Sequence, residues 1–264
     1  MAVNIMKLSF VIPAYNEEKY IGKCLLSVFK ELEGKDYDTE VIVVNNACTD
    51  RTRQIAAEFP GVRIVDEMEK GLVPARRAGF LASSGDLIAN VDADTMLSPG
   101  WTEKVFKEFS KDENLVALSG PFIYYDLTGF VSFWVQVFYY LGFLSNLINH
   151  HIFRGGSVLQ GGNFIVTREA LEKIGGYNPD LNFYGEDVDI ARRIRKVGNV
   201  KFTLGLPMYA SGRRLKAEGA LMTGIRAMLD YLWIMFTKKP FRKHAVTDIR
   251  LQEQETGAEE KRRR

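Results

Sequence analysis

The amino-terminal half of the chain alternates strand-like runs with helical stretches, and no other feature limits the fold as tightly. Lys7–Ile12, Glu40–Val44, Val62–Val65 and Leu87–Val91 read as strands. Glu17–Lys30, Arg51–Phe59 and Val73–Ala82 read as the helices between them. Short strand–helix–strand connections predict a largely parallel sheet covered on both faces, an α/β three-layer sandwich. Ligands of such sheets bind beyond the carboxyl ends of the strands. The residues that follow Ile12, Val44 and Val91 are therefore the first candidates for chemistry.

The rest of the chain is less regular. Leu115–Ser119 and Phe164–Thr167 read as strands, Arg168–Ile174 and Glu186–Val197 as helices, and Phe130–Ile148 as an aromatic-rich apolar segment. Composition closes off several classes. With 264 residues, 46% hydrophobic and 26% charged, the chain has material for one large domain or two small ones and is neither disordered nor fibrous. Its 35 basic and 33 acidic residues leave a net charge of only +2, which argues against a nucleic-acid partner. Cys24 and Cys48 are too few for a disulfide framework and suit a reducing compartment. The apolar run Leu8–Ile12 stops at Pro13 and is too short for an export signal.

Asp92-Ala93-Asp94 follows the strand Leu87–Val91. Residues two apart in an extended chain face the same side, so both carboxylates reach one ligand. Such a pair suits a hard divalent cation shared with substrate phosphates; the plainer alternative is a polar turn that caps the helix starting near Pro99.

The surrounding motifs decide between these. Lys7-Leu-Ser-Phe-Val-Ile-Pro-Ala-Tyr-Asn-Glu-Glu18 is followed by Val41-Ile-Val-Val-Asn-Asn-Ala-Cys-Thr-Asp-Arg-Thr52, Lys70-Gly71, Ala75-Arg76 and Gly85-Asp86. Gly161-Gly162-Asn163, Gly175-Gly176-Tyr177 and Tyr184-Gly185-Glu186-Asp187 come later. Taken in order over residues 7–215, about four-fifths of the chain, these motifs resemble family 2 glycosyltransferases.

The resemblance implies a GT-A fold with a mixed, mostly parallel sheet and a nucleotide-diphosphate sugar as donor. It implies Tyr15 against the base, with Pro13, Glu17, Asn46 and Lys70 also on the donor side. Arg76 is expected at the diphosphate, Asp92 at the ribose or in the metal's water shell, and Asp94 on Mg²⁺ or Mn²⁺. The second motif departs from the family by carrying Asn45-Asn46 and Cys48, and the resemblance puts the base-reading position on Asn46. An amide both donates and accepts, so the choice between uracil and guanine stays open. Thr49 and Asp50 serve either as ligands or as a helix cap.

Gly162, Asn163, Gly176 and Glu186 are expected on the acceptor side, and the catalytic base of the family falls on Asp187. A helical projection puts Glu186, Asp189, Arg193 and Lys196 on a polar stripe and sets Asp187 at the head of an apolar one with Ile190, Ala191, Ile194 and Val197. Asp189 and Arg193 are spaced for an i,i+4 ion pair. Arg213 and Arg214 either contact donor or acceptor or form a solvated basic loop. No Gln-x-x-Arg-Trp motif occurs, which argues against a processive synthase. Retained acidic pairs favour an enzyme over a noncatalytic nucleotide-sugar-binding or membrane scaffold protein.

Gly129–Ile148 holds no charged residue over a membrane-length window. One crossing there would place Asp94 and Asp187 on opposite sides of a bilayer, so the insert at about 121–153 is read as an interfacial helix, a shallow hairpin or a homodimer interface. Ala220–Phe236 is also apolar and is followed by Lys238, Lys239, Arg242 and Lys243. The expected organisation is a catalytic domain 1–215, a membrane-associating helix with basic flank 216–243 and a polar tail 244–264. A peripheral place on the cytoplasmic membrane face and a lipid-linked or glycan acceptor follow from this reading.

Overall fold

The computed structural model describes residues 6–148, 159–181 and 185–219. Its elements run β1 (Leu8–Ala14), α1 (Ile21–Leu32), β2 (Thr39–Asn46), α2 (Thr52–Ala57), β3 (Val62–Glu67), α3 (Leu72–Ala82) and β4 (Leu87–Val91). Next come β5 (Thr95–Leu97), α4 (Trp101–Lys111), β6 (Leu115–Ser119), β7 (Phe122–Tyr124) and α5 (Gly129–Ile148). The described chain closes with β8 (Asn163–Thr167), α6 (Arg168–Lys173), α7 (Glu186–Ile194), β9 (Asn199–Phe202), β10 (Met208–Ala210) and α8 (Arg213–Glu218).

Seven strands form the main sheet in the order β3-β2-β1-β4-β8-β6-β9. β8 runs antiparallel to both β4 and β6, and every other neighbouring pair is parallel. All seven residues of β1 are buried, as a central strand covered on both faces requires. Its side chains divide with the period of two: Leu8, Phe10, Ile12 and Ala14 join one core cluster, and Val11 joins the other. The first cluster also takes Ile21, Cys24, Leu25 and Val28 from α1 and Trp101, Val105 and Phe109 from α4. The second takes residues of α3, α6 and α7. Three layers result. Gly79 shows how closely they pack, since a Cβ there would lie 2.3 Å from Val11 Cγ1 and 3.0 Å from Val44 Cγ2.

A second sheet, β5-β10-β7, has only three residues in each strand. Such short strands give no readable alternation, and β10 falls in a stretch the sequence presents as a plain connection. The first helix begins at Ile21 rather than Glu17, because the Glu17 carbonyl accepts the Tyr20 and Ile21 N–H groups in a turn at its start. The apolar segment is the helix α5, on which Phe130, Phe133, Trp134 and Tyr140 are exposed. Its Tyr139 turns inward and donates to Gln160 Oε1 at 2.9 Å. Among the described residues no helix is long and apolar enough to cross a membrane.

The chain divides into two compact units between Ser211 and Gly212, a few residues before the expected boundary at 215. In the second unit Arg213 and Arg214 open the short helix α8 instead of lying in a loop. From residue 220 onward, the expected membrane-associating helix and the polar tail lie outside the described residues, as does Tyr184.

Candidate functional site

The carboxyl ends of β1, β2 and β4 lie side by side, and the loops leaving them build one edge. Pro13, buried near the end of β1, falls beyond the last residue that pairs with β4, where its missing N–H costs no ladder bond. The next loop is bolted to the one after β2. Asn16 Oδ1 accepts the Thr49 N–H at 2.8 Å, the Asn16 N–H donates to Cys48 Sγ at 3.3 Å, and Cys48 Sγ donates to the Ala14 carbonyl at 3.2 Å. The departure at Cys48 thus supplies a joint between the two loops. Asp50 braces the start of α2 from the residue before its N-cap Arg51: Oδ1 accepts from the Thr52 N–H at 2.9 Å and its hydroxyl at 2.5 Å, and Oδ2 from the Glu18 N–H at 3.1 Å.

Asn46 differs from its expected role. It is buried, and its Nδ2 donates to the Glu67 and Glu69 carbonyls at 3.2 and 2.6 Å while its Oδ1 accepts the Gly71 N–H at 2.9 Å. Both amide hydrogens are committed to the β3–α3 loop, so the side chain holds that loop rather than reading a base. The loop carries Lys70, whose Nζ donates to the Tyr15 hydroxyl at 2.8 Å and stands 3.9 Å from the ring centroid. Tyr15 and Lys70 therefore occupy one place at the edge.

Asp92 and Asp94 leave the end of β4 in a turn closed by Thr95, whose N–H and hydroxyl reach the Asp92 carbonyl at 3.1 and 2.8 Å. The Asp94 carbonyl accepts the Ser211 N–H at 3.3 Å, anchoring the turn to the end of β10. Beneath it the buried Cys24 thiol is pushed far up, first by burial and then by the charges of Asp94, Asp92 and Glu17. All three carboxylates lie near enough to bear on Cys24, and Glu17 is itself buried. Among the described residues no group of three or more His, Cys, Asp and Glu side chains is placed to hold a metal alone. Two hard oxygen donors without a complete cage fit a cation that takes its remaining ligands from water and a substrate's phosphates.

Arg76 is the main correction on the donor side. It has no exposed surface and so does not reach a diphosphate; its Nη1 donates to Glu186 Oε1 at 2.9 Å and its Nη2 to Asp92 Oδ1 at 3.3 Å. The Phe164 ring lies 5.0 Å from the guanidinium carbon. Burial alone would lower the arginine pKa, but the Glu186 and Asp92 carboxylates more than offset that and keep it cationic.

On the other side of this bridge Gly161 and Gly162 run between the acidic clusters. The Gly161 N–H donates to Asp187 Oδ2 at 3.1 Å, and Asp187 Oδ1 accepts the Val188 N–H at 2.8 Å. Gly162 has φ +78°, and a Cβ there would lie 2.2 Å from Asp92 Oδ2. One dipeptide touches both carboxylates, so Asp92 and Asp187 belong to one site. The helical projection is corrected here: Glu186 and Asp189 are buried, whereas Asp187 keeps some exposed surface and Val197 is 38% exposed. The projection failed because Glu186 has a cation inside the fold, and Asp189 pairs with Arg193 at 2.6 Å as its spacing predicts. Burial raises the pKa of both members of the acidic pair. Glu186 reaches about 7 despite the opposing charge of Arg76, with Asp187 adding to the rise. Asp187 rises less freely, because the Val188 and Gly161 N–H groups and Arg76 favour its charged form.

Two expected acceptor residues are structural. Asn163 has no exposed surface; its Oδ1 accepts from Trp101 Nε1 at 3.2 Å, and its Nδ2 donates to the Leu206 and Pro121 carbonyls at 2.9 and 3.3 Å. Gly176, at φ +74°, ends α6, with its N–H on the Leu171 carbonyl at 2.8 Å. The sequence reading missed the Arg76 bridge and the contact of Gly161 with Asp187. The Ala75-Arg76 motif was a signal for the first, but its partner Glu186 is 110 residues away.

The profile of Glycosyl transferase family 2 matches residues 9–175. The chain is 21% identical over 215 residues to glycosyltransferase GlyA of Streptococcus pneumoniae, covering 77% of this chain and 30% of that protein. It spans less than half the length of the curated relatives it matches over most of its own length. Its fold is similar to that of a mannosyltransferase from Pyrobaculum calidifontis, solved with GDP-Man and Mn²⁺, at TM-score 0.63 and 20% identity over 86% of this chain and 66% of that one. It is also similar to glucosyl-3-phosphoglycerate synthase from Mycobacterium tuberculosis, solved with Mn²⁺, UDP-Glc and phosphoglyceric acid, at TM-score 0.58 and 22% identity over 86% and 79% of the two chains. The mixed seven-stranded sheet is thus that of GT-A glycosyltransferases, and the chain belongs to glycosyl transferase family 2.

Proposed function

We propose that this protein is an inverting glycosyltransferase that moves a sugar from a nucleotide-diphosphate sugar to a hydroxyl or phosphate acceptor. The observation that carries this reading is the single dipeptide Gly161-Gly162 lying against Asp187 and Asp92. It joins a candidate base to the metal-and-donor carboxylates in one site. Tyr15 and Lys70 hold the base end of the donor. Asp94, with Asp92 beside it, would hold Mg²⁺ or Mn²⁺, which supplies charge neutralisation for the departing nucleoside diphosphate. Asp187, oriented by the Gly161 and Val188 N–H groups, takes the proton of an attacking hydroxyl. One base and one displacement give inversion at the anomeric carbon, by the logic that separates glycosidase classes. With a phosphate acceptor Asp187 only orients the nucleophile.

In this reading the acceptor is lipid-linked, a polyprenyl phosphate or a growing lipid-linked glycan of cell-envelope glycan or glycolipid synthesis. The protein meets it as a peripheral protein on the cytoplasmic face of a membrane. Support comes from Phe130, Phe133 and Trp134, 76%, 60% and 55% exposed on a helix without a charged residue.

A thermal-shift panel of uracil and guanine nucleotide sugars, with and without Mn²⁺, tests the donor half. The right donor raises stability as RT ln(1 + [L]/Kd), and no metal-dependent shift with any member would overturn it. Labelled donor incubated with membranes tests the acceptor, and label confined to water-soluble products would refute a lipid acceptor.

A further inference from the structure

We propose that Arg76 is a positioning residue that holds the donor-side carboxylate and the acceptor-side acidic pair in one rigid frame. The inference rests on the glycosyltransferase reading above, and goes beyond it by giving a buried α3 residue control over the geometry of both halves. Arg76 has no exposed surface, so it touches neither substrate and acts only through its partners. One planar guanidinium spans Glu186 Oε1 at 2.9 Å and Asp92 Oδ1 at 3.3 Å, and the Phe164 ring lies beside it.

Each contact is passed on to a neighbour that faces substrate. Asp92 is held by Arg76 on one oxygen and abuts Gly162 with the other, which leaves little freedom for Asp94 two residues later. Glu186 is pinned by Arg76, and the adjacent Asp187 is held by backbone N–H groups on both oxygens. Stability by itself is a weak reason for such a cluster, because well-packed apolar residues often serve a core as well as a buried ion triad does. Fixing the separation of two reacting groups is a sufficient one, since misplacement by about 1 Å costs on the order of 100-fold in rate.

Arg76→Lys supplies the test, because an ammonium keeps the charge but lacks the rigid fork that bridges two carboxylates. The full chain is assayed with Mn²⁺ and the uracil or guanine nucleotide sugar that the wild type turns over. We expect kcat to fall about 100-fold, with KM for the donor within a few-fold of wild type. Glu186→Gln, which keeps the shape of the partner, should show the same split, and the double variant should be no worse than the weaker single one. Unchanged kcat per folded molecule with only a lowered melting temperature would assign Arg76 a purely structural role and overturn the proposal. If Arg76→Lys does not fold, Glu186→Gln decides alone: wild-type kcat overturns the proposal, and a kcat-specific loss supports it. A wild-type protein with no Mn²⁺-dependent turnover across the panel overturns the glycosyltransferase reading and this inference together. A wild type that turns over while both variants match it overturns the inference alone.

Discussion

Replacing Gly162 with alanine isolates what the dipeptide between the two acidic clusters contributes. Two costs add at that position. The backbone sits at φ +78°, where an L side chain costs about 1–2 kcal/mol. The new Cβ would also stand 2.2 Å from Asp92 Oδ2, so restoring an ordinary 3.4 Å contact requires the carboxylate to retreat by about 1 Å. That retreat loosens the bond between Asp92 and Arg76, and strain of this kind in a packed site typically costs about 1–3 kcal/mol. Gly175 provides a control within the same chain, having the same φ of +78° and nothing within 4 Å of its own Cβ position. Urea denaturation of both variants separates the terms: Gly175→Ala reports backbone strain, and the excess at Gly162→Ala reports the collision. Turnover should fall about 100-fold in Gly162→Ala and stay near wild type in Gly175→Ala. Equal destabilisation of the two variants, or full activity in Gly162→Ala, would refute the claim that this glycine is required by its contact with Asp92.

Three further outcomes follow from the same geometry. Asp187→Asn should lower turnover of a hydroxyl acceptor by about 10²–10⁴-fold while keeping metal-dependent nucleotide binding, whereas Asp94→Ala should lose both; calorimetry beside a rate assay distinguishes them. Burial raises Glu186 from 4.5 to about 7, so the folded protein binds a proton there that the unfolded chain has released. Its stabilising contribution is complete below the unfolded pKa and is lost as pH rises through about 7. Denaturation midpoints between pH 5 and 8 should decline with pH in the wild type and less steeply in Glu186→Gln. Tyr177→Phe removes a buried 2.7 Å hydrogen bond to Asn90 Oδ1 and should cost about 1–3 kcal/mol in urea titrations with little change in donor affinity.

Much of the fold can be read from local pattern, because strands covered on both faces need continuous apolar runs. Leu87–Val91 and Leu115–Ser119 have the same limits in the sequence reading and in the structure. The alternation into two cores is equally local, since Leu8, Phe10 and Ile12 must face away from Val11. The three-residue strands of the small sheet left no trace, being too short for a period of two to register. The antiparallel β8 between β4 and β6 is likewise a matter of long-range pairing.

For the site, the two-residue spacing of Asp92 and Asp94 at a strand end marked one carboxylate pair, and the resemblance to family 2 glycosyltransferases marked Glu186 and Asp187. Sequence also offered Asn46, Asn163 and Arg76 as ligands, and the structure turned all three inward. The physical reason is the same each time: a polar group committed to a buried partner looks, in one dimension, the same as one held ready for substrate. Asn163 is distinguished by Trp101 and the Pro121 and Leu206 carbonyls, and Arg76 by Asp92 and by Glu186, 110 residues away. Chemistry of the side chains was written in the order of residues; which of them meet, and which are spent on each other, was decided when α3 and α7 packed on the same face of the sheet.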